Sequence, residues 1–124
     1  MTSTCPCCSG LAYAVCCGPW HRGGNAPTAE ALMRSRYAAF VHKDAAYLSR
    51  TCHPTLRGGM NLRDLRASFA LTWTGLEILA TRSGGPADDE GMVHFRANFQ
   101  GGSHEERSRF VRRQGEWLYR DGKG

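Results

Sequence analysis

The chain has 124 residues, of which 41% are hydrophobic and 22% charged, a balance typical of one globular domain with a small appendage. No apolar run reaches the length of a membrane span and no secretory signal opens the chain, so we expect a cytoplasmic protein without membrane contact. The net charge of +5 leaves nucleic-acid binding open, although arginines on a solvated surface are the simpler explanation.

The stretch Cys5–Trp20 reads CPCCSGLAYAVCCGPW and holds five of the six cysteines. Four of them follow the spacing C-x-C-x8-C-C, and a reducing cytosol favours a metal over disulfides for such a cluster. Four thiolates predict a closed structural zinc site, with iron as the less favoured alternative because thiolates suit both metals. The spacing alone does not choose between Cys7 and Cys8, and His21 is a further candidate for the fourth ligand.

Residues 22–27, RGGNAP, carry two glycines, an asparagine and a proline, which is a composition typical of linkers. We therefore place a boundary there. It divides the chain into a zinc knuckle over residues 1–21 and a larger domain over residues 28–124, which we call the knuckle and the cone.

The sequence of the cone next to the linker predicts three helices. Thr28 and Asp44 can cap the first two, because their side-chain oxygens accept hydrogen bonds from the first-turn N–H groups. His53 ends the second helix, since the residue before Pro54 avoids the helical region. Asn61 can cap the third. The apolar stripe of the first helix is predicted to comprise Met33, Tyr37, Phe40 and Val41.

From Trp73 onward apolar residues recur with period two, which predicts antiparallel strands. The predicted strands cover residues 73–82, 92–100, 105–113 and 116–120. The clearest alternation puts one apolar face on the second strand, formed by Val93, Phe95, Ala97 and Phe99. Helices followed by strands predict an α+β fold with the helices packed on one face of the sheet.

The pattern CPC-x-SG-x-x-Y-x-x-CC-G resembles the SEC-C motif, the zinc-binding module of the SecA translocation ATPase. That resemblance implies Cys5, Cys7, Cys16 and Cys17 as the metal ligands. The motif usually has glycine where this chain has Cys8, which makes Cys8 a bystander or a spare thiol near the metal.

Further motifs resemble the YchJ family, an uncharacterised family of bacterial SEC-C proteins. They are LMRSRYAAF at 32–40, a D-x-x-YL…HP run at 44–54, ERSRF at 106–110 and W-x-Y-x-DG at 117–122. The resemblance covers nearly the whole chain. It implies that the cone is a nuclear-transport-factor-2-like, cystatin-like domain, a fold that often encloses a pocket between its helices and its curved sheet.

The resemblance implies a protein-interaction or adaptor role, with an export chaperone or the ribosome as candidate partners by analogy with SecA. An alternative is small-molecule binding or an isomerase- or dehydratase-like enzyme in the cone pocket, where Tyr37 and His53 are candidate lining residues. We assign no catalytic residue, because the usual hydrolase, phosphate-loop and metalloprotease motifs do not occur. A second alternative is RNA or ribosome binding through Arg107, Arg109, Arg112 and Arg113.

Overall fold

The computed structural model describes residues 4–54 and 62–123. The helices are α1 (Gly18–His21), α2 (Ala29–His42), α3 (Ala45–Arg50) and α4 (Leu62–Phe69), and a 3₁₀ turn covers Tyr13–Val15. The strands are β1 (Trp73–Ser83), β2 (Glu90–Phe99), β3 (Gly102–Arg113) and β4 (Glu116–Lys123). The predicted α+β class is confirmed.

The four strands form one antiparallel sheet in the order β1-β2-β3-β4. Gln114 and Gly115, with φ angles of 53° and 82°, close the hairpin between β3 and β4, as a two-residue turn of the type I′ class requires. Phe95 of β2 lies opposite Ile78 of β1 and Glu106 of β3, so side chains from three strands meet on one face of the sheet.

The first two helices begin at the predicted caps. The Thr28 hydroxyl accepts a hydrogen bond from the N–H of Ala31 at 3.0 Å, and the Asp44 carboxylate accepts one from the N–H of Tyr47 at 3.1 Å. Lys43, with a φ of 60°, ends α2 in the left-handed conformation. The cap predicted at Asn61 lies outside the described residues.

Helix α2 is buried over more of its surface than the predicted stripe. Its buried residues are Ala29, Leu32, Met33, Ser35, Arg36, Tyr37, Ala38 and Ala39. The predicted stripe members Phe40 and Val41 are only half-buried. The reason is that the sheet covers one side of α2, while the knuckle and α3 cover others. A helix enclosed from several directions does not show a single amphipathic stripe.

The knuckle, described from residue 4, packs directly against the core of the cone. Cys5, Cys7 and Cys17 belong to the same buried cluster as Leu32 and Trp117. Helix α1 begins at Gly18, with Cys17 at its N-cap position and a proline in its first turn. Within the described residues, none of the helices is long and apolar enough to cross a membrane.

Candidate functional site

The sulfur atoms of Cys5, Cys7, Cys16 and Cys17 all lie within 4.8 Å of one another. The Sγ of Cys16 is 3.6 Å from that of Cys7 and 3.9 Å from that of Cys17. Zinc–sulfur bonds of about 2.3 Å in a tetrahedron would place the sulfur atoms about 3.8 Å apart, whereas a disulfide needs about 2 Å. The four cysteines are free thiols at a spacing that could hold one tetrahedral metal ion.

Two short backbone structures bring these thiols together. The N–H of Cys5 donates to the carbonyl of Leu11 at 2.7 Å and closes a small hairpin. Cys8 and Gly10 turn the chain with φ angles of 67° and 87°. The Ser9 hydroxyl lies 3.1 Å from the Cys16 sulfur, a second-sphere contact of the kind that orients a ligand. The second pair of cysteines is presented by the start of α1.

Burial and hydrogen bonding shift the pKa values of three of these thiols in different directions. Burial raises the pKa of Cys5 to about 11. The hydrogen bond from Cys17 lowers the pKa of Cys7 to about 4, because it stabilises the Cys7 thiolate. The same hydrogen bond, together with burial, raises the pKa of Cys17. Several thiolates buried together are unfavourable unless a cation balances their charge, and a divalent metal ion supplies that balance.

Cys8 lies outside the four-sulfur cluster. Its side chain is exposed, and its sulfur accepts a hydrogen bond from the N–H of Leu76 at 3.3 Å. Its φ of 67° is in the left-handed region, where glycine carries no Cβ penalty. That conformation gives a physical reason for the glycine usually found at this position of the SEC-C motif.

The structure gives His21 a different role from that of a fourth ligand. Its Nε2 is 2.8 Å from the carbonyl oxygen of Ser35 in α2, and its Nδ1 is 2.6 Å from the hydroxyl of Tyr13. A carbonyl only accepts, so Nε2 carries the proton and Nδ1 accepts from Tyr13. Burial lowers the pKa of His21 and thereby favours this neutral form. His21 therefore joins the knuckle to α2.

Two arginines reinforce the attachment of the knuckle. The guanidinium of Arg34 donates to the carbonyl of Cys7 at 2.8 Å and also pairs with Glu30. The guanidinium of Arg50 donates to the carbonyl of Trp20 at 2.8 Å. Helices α2 and α3 thus bind the backbone on both sides of the cysteine cluster.

A second candidate site is a cavity of about 460 Å³ between α2 and the inner face of the sheet. Tyr37, one of the two candidate pocket residues, lines this cavity. Burial raises the pKa of its hydroxyl to about 12. His53 is not among the residues that line it. The Nε2 of His53 lies 3.1 Å from Nη1 of Arg113, and the backbone N–H of His53 donates to the carbonyl of Tyr119.

Sequence reasoning missed the polar end of this cavity, formed by His104, Glu106 and Ser108 of β3. The signal was nevertheless present, because these three residues alternate in step with the apolar Phe110 and so share its face of the strand.

The arginine cluster on the sheet is partly ion-paired. Arg109 forms a salt bridge with Asp121, and Arg112 pairs with Asp89 at 3.2 Å and lies over the ring of Trp117. Both ion pairs lie on the protein surface, which is where the simpler explanation for the positive charge places the arginines. It offers fewer uncompensated cations to a phosphate backbone than the count of arginines suggests.

Comparison with known sequences assigns the chain to a family. The profile described as the middle NTF2-like domain of YchJ matches residues 28–122, and that of the SEC-C motif matches residues 1–19. The chain belongs to the YchJ family. A UPF0225 protein of Streptomyces coelicolor is 52% identical to this YchJ-family chain over 122 residues, which cover 98% of the chain and 95% of that protein. A UPF0225 protein of Geobacter sulfurreducens is 42% identical and matches 100% of the chain and 81% of its own length.

Two solved structures resemble this YchJ-family chain over nearly its whole length. The solution structure of a SEC-C motif containing protein from Rhodopseudomonas palustris matches with a TM-score of 0.86 and 38% identity, covering 97% of each chain. The crystal structure of a SEC-C motif containing protein from Psychrobacter arcticus matches with a TM-score of 0.83 and 30% identity, covering 96% of this chain and 81% of that one.

Proposed function

We propose that this YchJ-family protein is a cytoplasmic adaptor in which a structural zinc ion holds the knuckle in a shape that docks onto a protein partner. The ligands would be Cys5, Cys7, Cys16 and Cys17, and the observation that carries this proposal is the tetrahedral spacing of their sulfur atoms. Four protein ligands complete the coordination of zinc, which leaves no position for a substrate. The knuckle would then serve recognition and the cone would support it.

Metal analysis of the purified protein tests the first part of the proposal. We expect one zinc per chain after expression in ordinary medium and purification without a chelator. Iron in place of zinc would give a coloured protein and would correct the identity of the metal while keeping the site. A protein that binds neither metal and keeps its knuckle ordered would overturn the proposal.

The docking role is supported by apolar side chains that the knuckle presents to solvent. Val15 is 70% exposed and Leu11 is 54% exposed, and both lie between the two cysteine pairs. A loop clamped at both ends by one metal ion loses little conformational freedom on binding, which favours affinity. The net charge of +5 favours an acidic protein surface around this apolar contact.

Binding assays with purified partners test the docking role. By resemblance to SecA, the first candidate is the export chaperone SecB and the second is the ribosome. We expect Val15→Asp to weaken binding about tenfold or more, since an apolar anchor becomes a charge facing an acidic surface. Leu79→Asp is the matched control, because Leu79 is 40% exposed but lies on β1, outside the knuckle. Equal binding by both variants, or no binding to either candidate, would refute this docking surface for these partners.

A further inference from the structure

The polar end of the cone cavity is centred on the carboxylate of Glu106. One oxygen, Oε2, accepts hydrogen bonds from the Ser108 hydroxyl at 2.5 Å and the Tyr119 hydroxyl at 3.0 Å. The other, Oε1, lies 3.0 Å from Nε2 of His104. Three side chains from two strands therefore hold this carboxylate in one position.

The surrounding backbone makes room for this group. A Cβ placed on Gly122 of β4 would lie 2.0 Å from Oε2 of Glu106, so a larger residue there would displace the carboxylate from its present position. Burial and the negative charge of Glu106 raise the pKa of Tyr119, which keeps its hydroxyl protonated as a donor. Arg36 lies 4.8 Å from the centre of the Tyr119 ring and supplies a nearby positive charge.

The carboxylate also determines which nitrogen of His104 carries the proton. A carboxylate accepts hydrogen bonds, so its contact with Nε2 favours the tautomer with hydrogen on that nitrogen. The lone pair of Nδ1 is then left for another donor, and Nδ1 has no hydrogen-bond partner among the described residues. His104 lines the cavity and is thus a hydrogen-bond acceptor at its polar end.

The rest of the cavity is walled by aromatic rings. The ring of Trp73 lies 6.1 Å from that of Phe40, 6.0 Å from that of Tyr37 and 5.6 Å from that of Phe99, all measured between centroids. A cavity of about 460 Å³ is within the usual size range for small-molecule sites. Flat apolar groups pack well against rings arranged in this way.

We propose that the cavity binds a neutral, ring-containing small molecule whose hydroxyl group donates a hydrogen bond to Nδ1 of His104. The aromatic walls take the apolar body of the ligand. Glu106 disfavours a ligand anion placed beside it. Arg36 also lines the cavity, but its Nη1 is bound to the Leu48 carbonyl and the Thr51 hydroxyl. The His104 side chain is 53% exposed, and a ligand of the same shape without a donor lacks this hydrogen bond, which lowers its affinity.

The outer face of the sheet carries a matched pair of side chains. There Nε2 of His94 lies 2.8 Å from the carboxylate of Glu105, the same chemistry as the pair of His104 and Glu106. His94 is not among the residues that line the cavity. Changes at His94 therefore control for the loss of a histidine–glutamate pair from the sheet.

Three probes of similar shape test the proposal on the full-length, zinc-loaded protein. They are 2-naphthol, 2-methoxynaphthalene and 2-naphthoate, which offer a donor, no donor and a negative charge. Titrations followed by amide NMR should show 2-naphthol binding with shifts at cavity residues, about fivefold or more tightly than either comparator. Equal binding of 2-naphthol and 2-methoxynaphthalene, a preference for 2-naphthoate, or no binding of any probe would overturn it.

His104→Phe should remove the preference for 2-naphthol over 2-methoxynaphthalene, because the ring remains and the acceptor is lost. His94→Phe should leave the preference unchanged. Should His104→Phe not fold, side-chain nitrogen NMR of the unchanged protein still decides the question. It should show Nδ1 of His104 unprotonated and shifted by 2-naphthol, and a protonated or unresponsive Nδ1 would refute the proposal.

Discussion

The knuckle and the cone bury their side chains to a similar degree but surround them with different atoms. Cys7 and Cys17 are as buried as Leu48 and Val93. The sulfur atoms of the two cysteines meet that of Cys16, although both cysteines also pack into the apolar cluster that contains Val93. Apolar burial stabilises a fold without any ligand, but a cluster of buried thiols is stable in one arrangement only when a cation holds it.

The two parts are nevertheless joined by specific hydrogen bonds. His21, Arg34 and Arg50 each connect the knuckle to a helix of the cone. The difference between the parts therefore predicts a hierarchy. Removing the metal should disorder the knuckle first, while damage to the core of the cone should unfold both parts together.

The largest effect is expected from Cys16→Ser. Losing one of four ligands removes most of a metal-binding free energy that is about 10 kcal/mol or more for structural zinc. Metal content should fall close to zero and amide protection in the knuckle should disappear, while the strands of the cone stay protected. Cys8→Ser is the control and should keep its metal, because Cys8 lies outside the cluster. Full metal retention in Cys16→Ser would contradict the ligand set.

The next largest effect is expected from Phe110→Ala. Phe110 is 1% exposed on the inner face of β3, and removing a buried phenyl ring costs about 3–5 kcal/mol of unfolding free energy. Denaturant unfolding should remain a single transition at lower denaturant, with metal release in the same transition. Metal release well before the loss of strand signal would show that the knuckle unfolds independently of the core.

His21→Phe tests the connection between the two parts. The substitution removes the imidazole that hydrogen-bonds both the Ser35 carbonyl and the Tyr13 hydroxyl. We expect the loss to lower the free energy of unfolding by about 1–3 kcal/mol. The variant should bind one metal ion but lose it to a chelator faster than the unchanged protein. His94→Phe serves as the control, since His94 pairs with Glu105 on the outer face of the sheet and not with the knuckle. Equal rates of metal release in the two variants would argue against this connection.

The smallest effect concerns the turn at Cys8. Cys8→Gly and Cys8→Ala both remove the thiol, but only glycine relieves the left-handed φ of 67°. The glycine variant should therefore be the more stable of the two by about 1 kcal/mol, measured by chemical denaturation of the zinc-loaded protein. Both should retain one metal ion. A more stable alanine variant would show that the turn carries no strain.

Local signals in the sequence were enough to predict the elements of the cone. The caps at Thr28 and Asp44 depend on nearby residues alone, and both occur where expected. The turn at Gln114 falls in the two-residue gap between the last two predicted strands. The wide burial of α2 could not be predicted in this way. It depends on the knuckle and α3 packing against the helix from outside its own segment.

The same difference between local and long-range signals applies to the candidate sites. Spacing left Cys7 and Cys8 as equal candidates for the metal ligand. Which of the two side chains turns toward the cluster depends on the left-handed φ of Cys8, which the residue type does not reveal. For the cavity, Tyr37 was a candidate lining residue and lies on the cavity wall. His53 was chosen for its place at a helix end, whereas the histidine on the cavity wall is His104, whose position depends on the pairing of β2 with β3.

The outer strands of the sheet show one more consequence of how the knuckle is attached. Unpaired N–H and C=O groups on an edge strand invite another chain to add to the sheet and aggregate. At the β4 edge, the N–H of Tyr119 donates to the carbonyl of Thr51, and the N–H of His53 donates to the carbonyl of Tyr119. At the β1 edge, the sulfur of Cys8 accepts from the N–H of Leu76. The chain thus occupies one position on each edge with its own atoms, and disorder of the knuckle would free the N–H of Leu76 to pair with another chain.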